Sequence, residues 1–341
     1  MSTVSRARLK DIASRAKVSV ATASLALNGK GRISDEVRSR VRDTADLLGY
    51  STRRSGSLRP GAVDSVGIIH AEDREYEWHF IRPTILELEH ALRQKGHLPV
   101  LIPAGTRAEP EKTLRHVVDC GVKAVFALQV ADGALFSELL GRGIRLVVIS
   151  NSGFQAQFHS VCVDDFQGAY EGTLFLLSLG HRSLAFVEYT RPDSPNVVAD
   201  RFIGFRKALE EQKVGFSPEQ RLTVPFMDAK KLQKKLASLF SRRERPTAIF
   251  AHDDYLGLYV IEALGKLGLS VPGDVSLVAP GDVLDYRLPL MPQITTMRID
   301  TALLGKIAAN LMFDRMRNTD SDVHVLKVKE QLVRRESCRQ V

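Results

Sequence analysis

A short all-helical N-terminal module followed by an α/β core of two lobes with parallel sheets is the fold class this sequence predicts, and three observations carry it. Residues 1–60 hold thirteen Lys and Arg against five Asp and Glu, a net of +8, while the remaining 281 residues hold 35 of each sign (48 − 13 and 40 − 5) and sum to zero. Within the basic head, apolar residues recur at helical spacing in three short runs separated by turn signals. From Val66 onward, short apolar runs alternate with helical patterns through the rest of the 341 residues, the rhythm of βα units.

In "LKDIASRA", Leu9, Ile12, Ala13 and Ala16 line one helical face. Lys17-Val18-Ser19 interrupts it, and Ser19 is placed to cap a second helix whose inward residues are Ala23, Ala26 and Leu27. Asn28-Gly29 stops that helix. Ser34 caps a third, with Asp35 and Glu36 in its first turn and Val37, Val41, Ala45 and Leu48 inward. Three short helices with a tight turn between the first two make a helix-turn-helix module, in which the second helix enters a major groove. A small basic head on a neutral body fits a polyanionic partner.

The head, "LKDIASRAKVSVATASLALNGKGRISDEVRSRVRDTADLLGY", resembles the DNA-binding head of the lactose/galactose-repressor family of bacterial transcription regulators. The shared features are the "KDIA" helix, "VSxATxSxxLNG", "RIS" before the third helix and the closing "GY". By that resemblance Val20, Ala21 and Leu25 face base edges, while Ser19, Thr22, Ser24, Asn28 and Arg32 contact DNA around them. Two positions depart from the family pattern: Lys17 stands where Gly is usual, and Leu25 where a polar residue such as Arg is frequent.

Ser51 to Ser65, "STRRSGSLRPGAVDS", reads as a linker. In the family this segment resembles a hinge that folds on DNA and wedges a leucine into the minor groove. Leu58 is the matching wedge, and Arg53, Arg54 and Arg59 the accompanying contacts. A flexible basic tether without a wedge is the alternative, because Gly56 weakens a helix.

In the body, apolar runs begin with "VGIIHA", "LPVLIPA", "KAVFALQ", "RLVVIS" and "VCVDD", then "SLAFVEY", "RLTVPF", "TAIFAH" and "VSLVAP". Helices are expected near 83–95, 109–120, 135–141, 168–179, 200–212, 230–239 and 255–267. Two such series imply two lobes, with ligands bound at the carboxyl ends of the strands. This half resembles the family's effector-binding core, itself similar to periplasmic binding proteins, on "VDDFQGAYEGTLFLLSLGHRSLAFV", "DRFIGFRKAL" and "PTAIFAHDDYLGLYVIEALGKLGLSVPGDVSLVAPGD". The implied organisation is a head at 1–50, a hinge at 51–65 and a core at 66–341. The N-lobe then comprises about 66–162 and 293–322, and the C-lobe about 163–292 and 323–341, with crossings near Cys162, Pro292 and Asp322.

The resemblance implies a small, carbohydrate-type effector between the lobes. Arg201 matches the arginine that grips ligand hydroxyls, and its planar fork suits bidentate bonding. Asp253 stands where Asn is usual, Gly281 where Asp is common, and Asp282 is a possible substitute. In "EDREYEWHF", Tyr76, Trp78 and Phe80 offer aromatic surface for a sugar face. The apolar run from Tyr255 to Leu269 exceeds one buried face, so Tyr255, Leu258 and Tyr259 are candidate dimer contacts.

The expectation is thus a cytoplasmic, homodimeric repressor bound to operator DNA, with no cofactor, metal or membrane partner. Cys120, Cys162 and Cys338 are scattered without metal-ligand spacing. No dinucleotide, P-loop or nucleophile-elbow motif occurs, so an α/β enzyme with an accessory head is a weak rival. A sugar receptor with such a head conflicts with the missing signal sequence.

Overall fold

The computed structural model describes residues 9–27, 31, 33–48, 64–71, 78–104, 110–190, 195–318 and 322–341, without the side chains of 46, 47 and 195–198. The chain divides into two compact units, Met1–Ala62 and Val63–Val341.

In the first unit, α1 spans Leu9–Arg15, α2 Val20–Leu27 and α3 Asp35–Leu47. Their shared core is Ile12, Ala13, Ala16, Ala23, Ala26, Val41 and Ala45, with Leu9, Val18, Leu27, Val37 and Leu48 packed against it. Alanines dominate because helices this short meet only by close approach. The amide of Thr22 donates to Ser19 Oγ at 3.0 Å, and that of Val37 to Ser34 Oγ at 3.4 Å. The two caps thus form where the serines lead their helices.

The second unit opens with an all-parallel sheet. Its strands are β1 Ser65–Ala71, β2 Leu98–Ala104, β3 Ala124–Leu128, β4 Arg145–Ile149 and β5 Ser160–Val163, joined by β11 Val325–Val328. The order is β11-β5-β4-β3-β1-β2. On one face lie α4 Trp78–Gln94 and α11 Thr301–Arg317, which bury Ile81, Ile85, Leu88, Leu304, Ala308 and Met312 over Ile68, Phe126 and Val147. On the other, α5 Pro110–Cys120 and α6 Gly133–Gly141 bury Val117, Leu135, Phe136 and Leu139 over Ile69, Val125 and Val148. Residues of alternating parity along one strand feed the two cores, so parallel strands are apolar throughout.

The second lobe repeats the plan. Its parallel sheet has the order β7-β6-β8-β9, from β6 Leu184–Thr190, β7 Arg221–Pro225, β8 Ala248–Ala251 and β9 Ser276–Val278. One face is covered by α9 Ala229–Phe240 and α10 Asp254–Lys266. The other is covered by α7 Asp165–Ser178 and α8 Pro195–Glu211. β10 Thr296–Arg298 pairs antiparallel with β12 Gln331–Val333, and Val278↔Thr295 and Gly281↔Arg298 bridge this ribbon to the sheet.

Three helices start earlier than periodicity alone predicts. α4 begins at Trp78, ahead of Pro83, and α7 at Asp165, because Asp164 is its cap. α8 begins at Pro195, a residue whose missing N–H loses nothing in a first turn. The last crossing also moves. Val325 pairs with Ser160 and Val328 with Val163, so the chain stays in the first lobe through Val328 instead of leaving it near Asp322. The middle crossing likewise falls after Arg298, since Thr295 and Arg298 still bridge to the second lobe.

Candidate functional site

In the head, the outward arc of α2 is formed by Val20, Ala21 and Leu25, all exposed, with Ser24 half-buried between them. Ser19 Oγ and Thr22 Oγ1 lie 2.8 Å apart and serve the cap. Asn28, Arg32, Arg53, Arg54, Leu58 and Arg59 lie outside the described residues. Lys17 adopts φ +53°, the left-handed conformation that a glycine would take without strain.

In the core, the carboxyl ends of the strands and the crossovers bring several of the expected residues close together, but in altered roles. Arg201 on α8 is buried. Its Nη2 is 2.7 Å from Asp165 Oδ1, at the start of α7, and 4.0 Å from Glu330 Oε1, between β11 and β12. Its Nη1 donates to the carbonyl of His252. The guanidinium expected to reach for ligand is instead an internal pin joining two crossovers to the second lobe. Burial pushes the carboxyls of Asp165 and Glu330 upward, against the pull of Arg201. Among the described residues, neither Glu330 oxygen has a hydrogen-bond partner. Gly168 makes the fit possible: a Cβ there would stand 2.2 Å from Glu330 Oε2.

Asp253 caps α10, its Oδ1 accepting from the Leu256 amide at 2.7 Å. This is a structural use of a carboxylate predicted to meet ligand. Asp254 holds the following loop by accepting from the amides of Val283 at 2.9 Å and Leu284 at 3.3 Å and from the Tyr286 hydroxyl. Burial raises its carboxyl to about 7. Gly281, at φ +131°, leaves room for it, since a Cβ would lie 2.8 Å from Asp254 Oδ1. Asp282 is likewise engaged within the fold. One of its oxygens accepts from Arg298 and the other from Arg335, and Arg335 in turn sits 3.8 Å over the Tyr286 ring.

Of the aromatic run, Tyr76 lies outside the described residues. Phe80 packs against the first lobe's core and is no open platform. Trp78 remains 42% exposed at the start of α4, with its ring 6.1 Å from that of His70 at the end of β1. Asp165 and Glu330 were missed as interacting residues, whereas Asp254, beside Asp253 in "HDD", reads from the sequence as a structural neighbour and is one. The paired acids of "VDD" were the visible signal for Asp165, whereas nothing local marks Glu330. Among the described residues no cluster of His, Cys, Asp and Glu has the make-up of a metal site, and no helix is long and apolar enough to cross a membrane.

Comparison with known proteins follows the same division. The model of bacterial regulatory proteins of the lacI family matches residues 8–53, and that of the periplasmic binding protein-like domain matches residues 173–338. The chain is 28% identical over 338 residues to the HTH-type transcriptional repressor PurR of Klebsiella pneumoniae (strain 342), covering 97% of this chain and 96% of that protein. Among solved structures, a complex of the transcriptional regulator CelR with cellobiose is 25% identical, with a TM-score of 0.69 over 97% of this chain and all of that one. The lac repressor dimer bound to operator and the anti-inducer ONPF shares the fold at 19% identity and a TM-score of 0.69, covering 98% of this chain and all of that one. A helix-turn-helix head that matches the lacI-family model, a bilobed parallel α/β core that matches the periplasmic binding protein-like model, and transcriptional repressors as relatives over nearly its whole length give one conclusion: this chain is built as the bacterial transcription regulators of the lactose/galactose-repressor type are, a DNA-binding head on a two-lobed core.

Proposed function

We propose that this repressor holds operator DNA as a homodimer and that a small, uncharged, carbohydrate-type effector bound between the lobes controls its affinity. The charge balance around Arg201 carries the effector reading. Its one positive charge is already met by Asp165 and Glu330, with Asp253 close enough to add to the field. A group so neutralised offers no surplus cation to a phosphate or carboxylate, whereas hydroxyl donors suit the acceptors around it. Trp78 adds a half-exposed apolar ring, and the likeness to the CelR–cellobiose complex supports the same class.

Isothermal titration of the full chain against neutral sugars, sugar phosphates and nucleobases tests this reading. Heat from a neutral sugar supports it, and a response confined to sugar phosphates or nucleobases overturns it. The effector would act through differential affinity for two lobe arrangements.

For the dimer, Tyr255, Leu258 and Tyr259 are half-buried, and Leu258 and Tyr259 pack on their own core. Exposed apolar residues of the core elsewhere include Leu98 and Leu101 on the edge strand β2, and Leu288 and Leu290 in the loop after Asp282. These four are the contacts we assign to the partner copy, and sedimentation of a Leu101→Asp, Leu290→Asp variant as a monomer is the expected result.

A further inference from the structure

The reading arc of α2 lacks every charged or amide side chain that pairs bidentately with a base edge. At 100° per residue, Val20, Ser24, Ala21 and Leu25 follow one another around the exposed side, while Ala23 and Ala26 close on the head's core. Val20 is 49% and Leu25 42% exposed. No Arg, Lys, Asn, Gln, Asp or Glu occurs from Val20 to Leu27. The hydroxyls do not replace them. Ser19 Oγ accepts from the Thr22 amide at 3.0 Å and meets Thr22 Oγ1 at 2.8 Å, and Ser24 is half-buried with a bond of its own.

Two bulky apolar side chains turned outward on a head with a net charge of +8 over residues 1–60 need a polyanion that also carries apolar groups. Duplex DNA has one such group in its major groove, the C5-methyl of thymine. Guanine and adenine edges offer only donors and acceptors there, and an unmethylated cytosine offers an amino donor. Phosphates supply the affinity and no sequence information.

We propose that this head reads its operator through pyrimidine C5-methyl groups, with Leu25 and Val20 as the side chains that contact them. The inference rests on the DNA-binding reading of the head and names the chemistry of its specificity. It extends to modified DNA: 5-methylcytosine presents the same methyl in the same groove, so cytosine methylation at these positions raises affinity.

The test is a selection with the full chain from two duplex libraries of randomised centre, one made with thymidine and one with deoxyuridine, which lacks only the methyl. The thymidine library converges, and the best duplex remade with deoxyuridine at the facing positions binds about fourfold more weakly per methyl, the fold-change expected for one buried methyl group. Restoring the methyl as 5-methylcytosine opposite guanine regains part of that loss relative to plain cytosine. Leu25→Ala and Val20→Ala, both at exposed positions, bind thymidine and deoxyuridine duplexes alike at their respective positions. Convergence of both libraries on one consensus with equal affinity overturns the inference and leaves DNA binding intact. Retention of the thymidine preference by both Ala variants also overturns it. Failure of both libraries to yield any bound duplex at low salt overturns the DNA-binding reading itself.

Discussion

Lys17 occupies a turn position at φ +53°, where an L-residue is strained by roughly 1 kcal/mol relative to glycine. Lys17→Gly therefore raises the stability of the head by about that amount, read as slower hydrogen exchange at the buried α1 and α2 amides of the full chain. The opposite sign is expected for Ser19→Ala, which removes the α2 cap and weakens the head by about 1 kcal/mol. In the core, residue chemistry shows itself in pH. Asp254 titrates near 7 in the fold against 3.8 outside it, and Glu330 and Asp165 are raised in the same sense. A carboxyl held above its unfolded value contributes fully at pH below that value, and the contribution is lost as pH rises through the folded one. Core stability should thus fall between about pH 4 and pH 7 and level off above, by on the order of 4 kcal/mol for Asp254 alone. Asp254→Asn flattens that slope in thermal melts across pH, and Glu330→Gln raises the melting temperature at pH 7.5. A wild-type melting temperature that climbs steadily from pH 4 to 7 contradicts the assignment.

At the scale of elements, the lobes depend on helices pressed close to their sheets. Gly172 of α7 lies where a Cβ would meet Phe250 at 2.9 Å and Met297 at 3.1 Å. Gly305 of α11 faces the carbonyl of Thr84 at 2.7 Å by the same measure. Gly172→Val overpacks the α7 contact and should lower stability by about 1–3 kcal/mol in chemical denaturation. Capping follows one rule along the core. Asp132, Asp164, Asp228, Asp253 and Asp300 each accept from an amide three residues on, which fixes where α6, α7, α9, α10 and α11 begin. The Asp253 cap gives the carboxylate at that position a use within the fold: its oxygen meets the unpaired amides and the positive end of the helix.

At the scale of the whole molecule, the crossovers are tied by ion pairs that join segments far apart in sequence. Asp282 grips Arg298 and Arg335, so a single loop holds the end of β10 and the segment that follows β12. Asp282→Ala leaves Arg335, which is mostly buried, without its partner. A loss of about 1–3 kcal/mol follows, seen as a lower denaturation midpoint of the core. On DNA, phosphate contacts from the basic head make affinity fall steeply with salt, by roughly a thousandfold or more between 50 and 200 mM for six or more contacts. Gel retardation of the full chain on a selected duplex measures that slope.

How much of this was legible in the sequence depends on range. The head's core residues from Leu9 to Leu48 were readable because a helix repeats locally every 3.6 residues, and every apolar position assigned there packs inward. The strands were readable because burial on two faces leaves unbroken apolar runs. The site was less so: Arg201, Asp253 and Asp282 were picked out by position, but their partners Glu330, Leu256 and Arg335 include two that lie more than fifty residues away. By itself, then, the sequence determined the helical head, the succession of βα units and the kind of molecule they build, since these follow from local periodicity and composition. Only the tertiary structure decided that Arg201 is neutralised, that Asp282 clasps a ribbon and that the last crossing follows Val328. Ion pairing and strand register arise between distant segments, and no local pattern encodes which of them will meet.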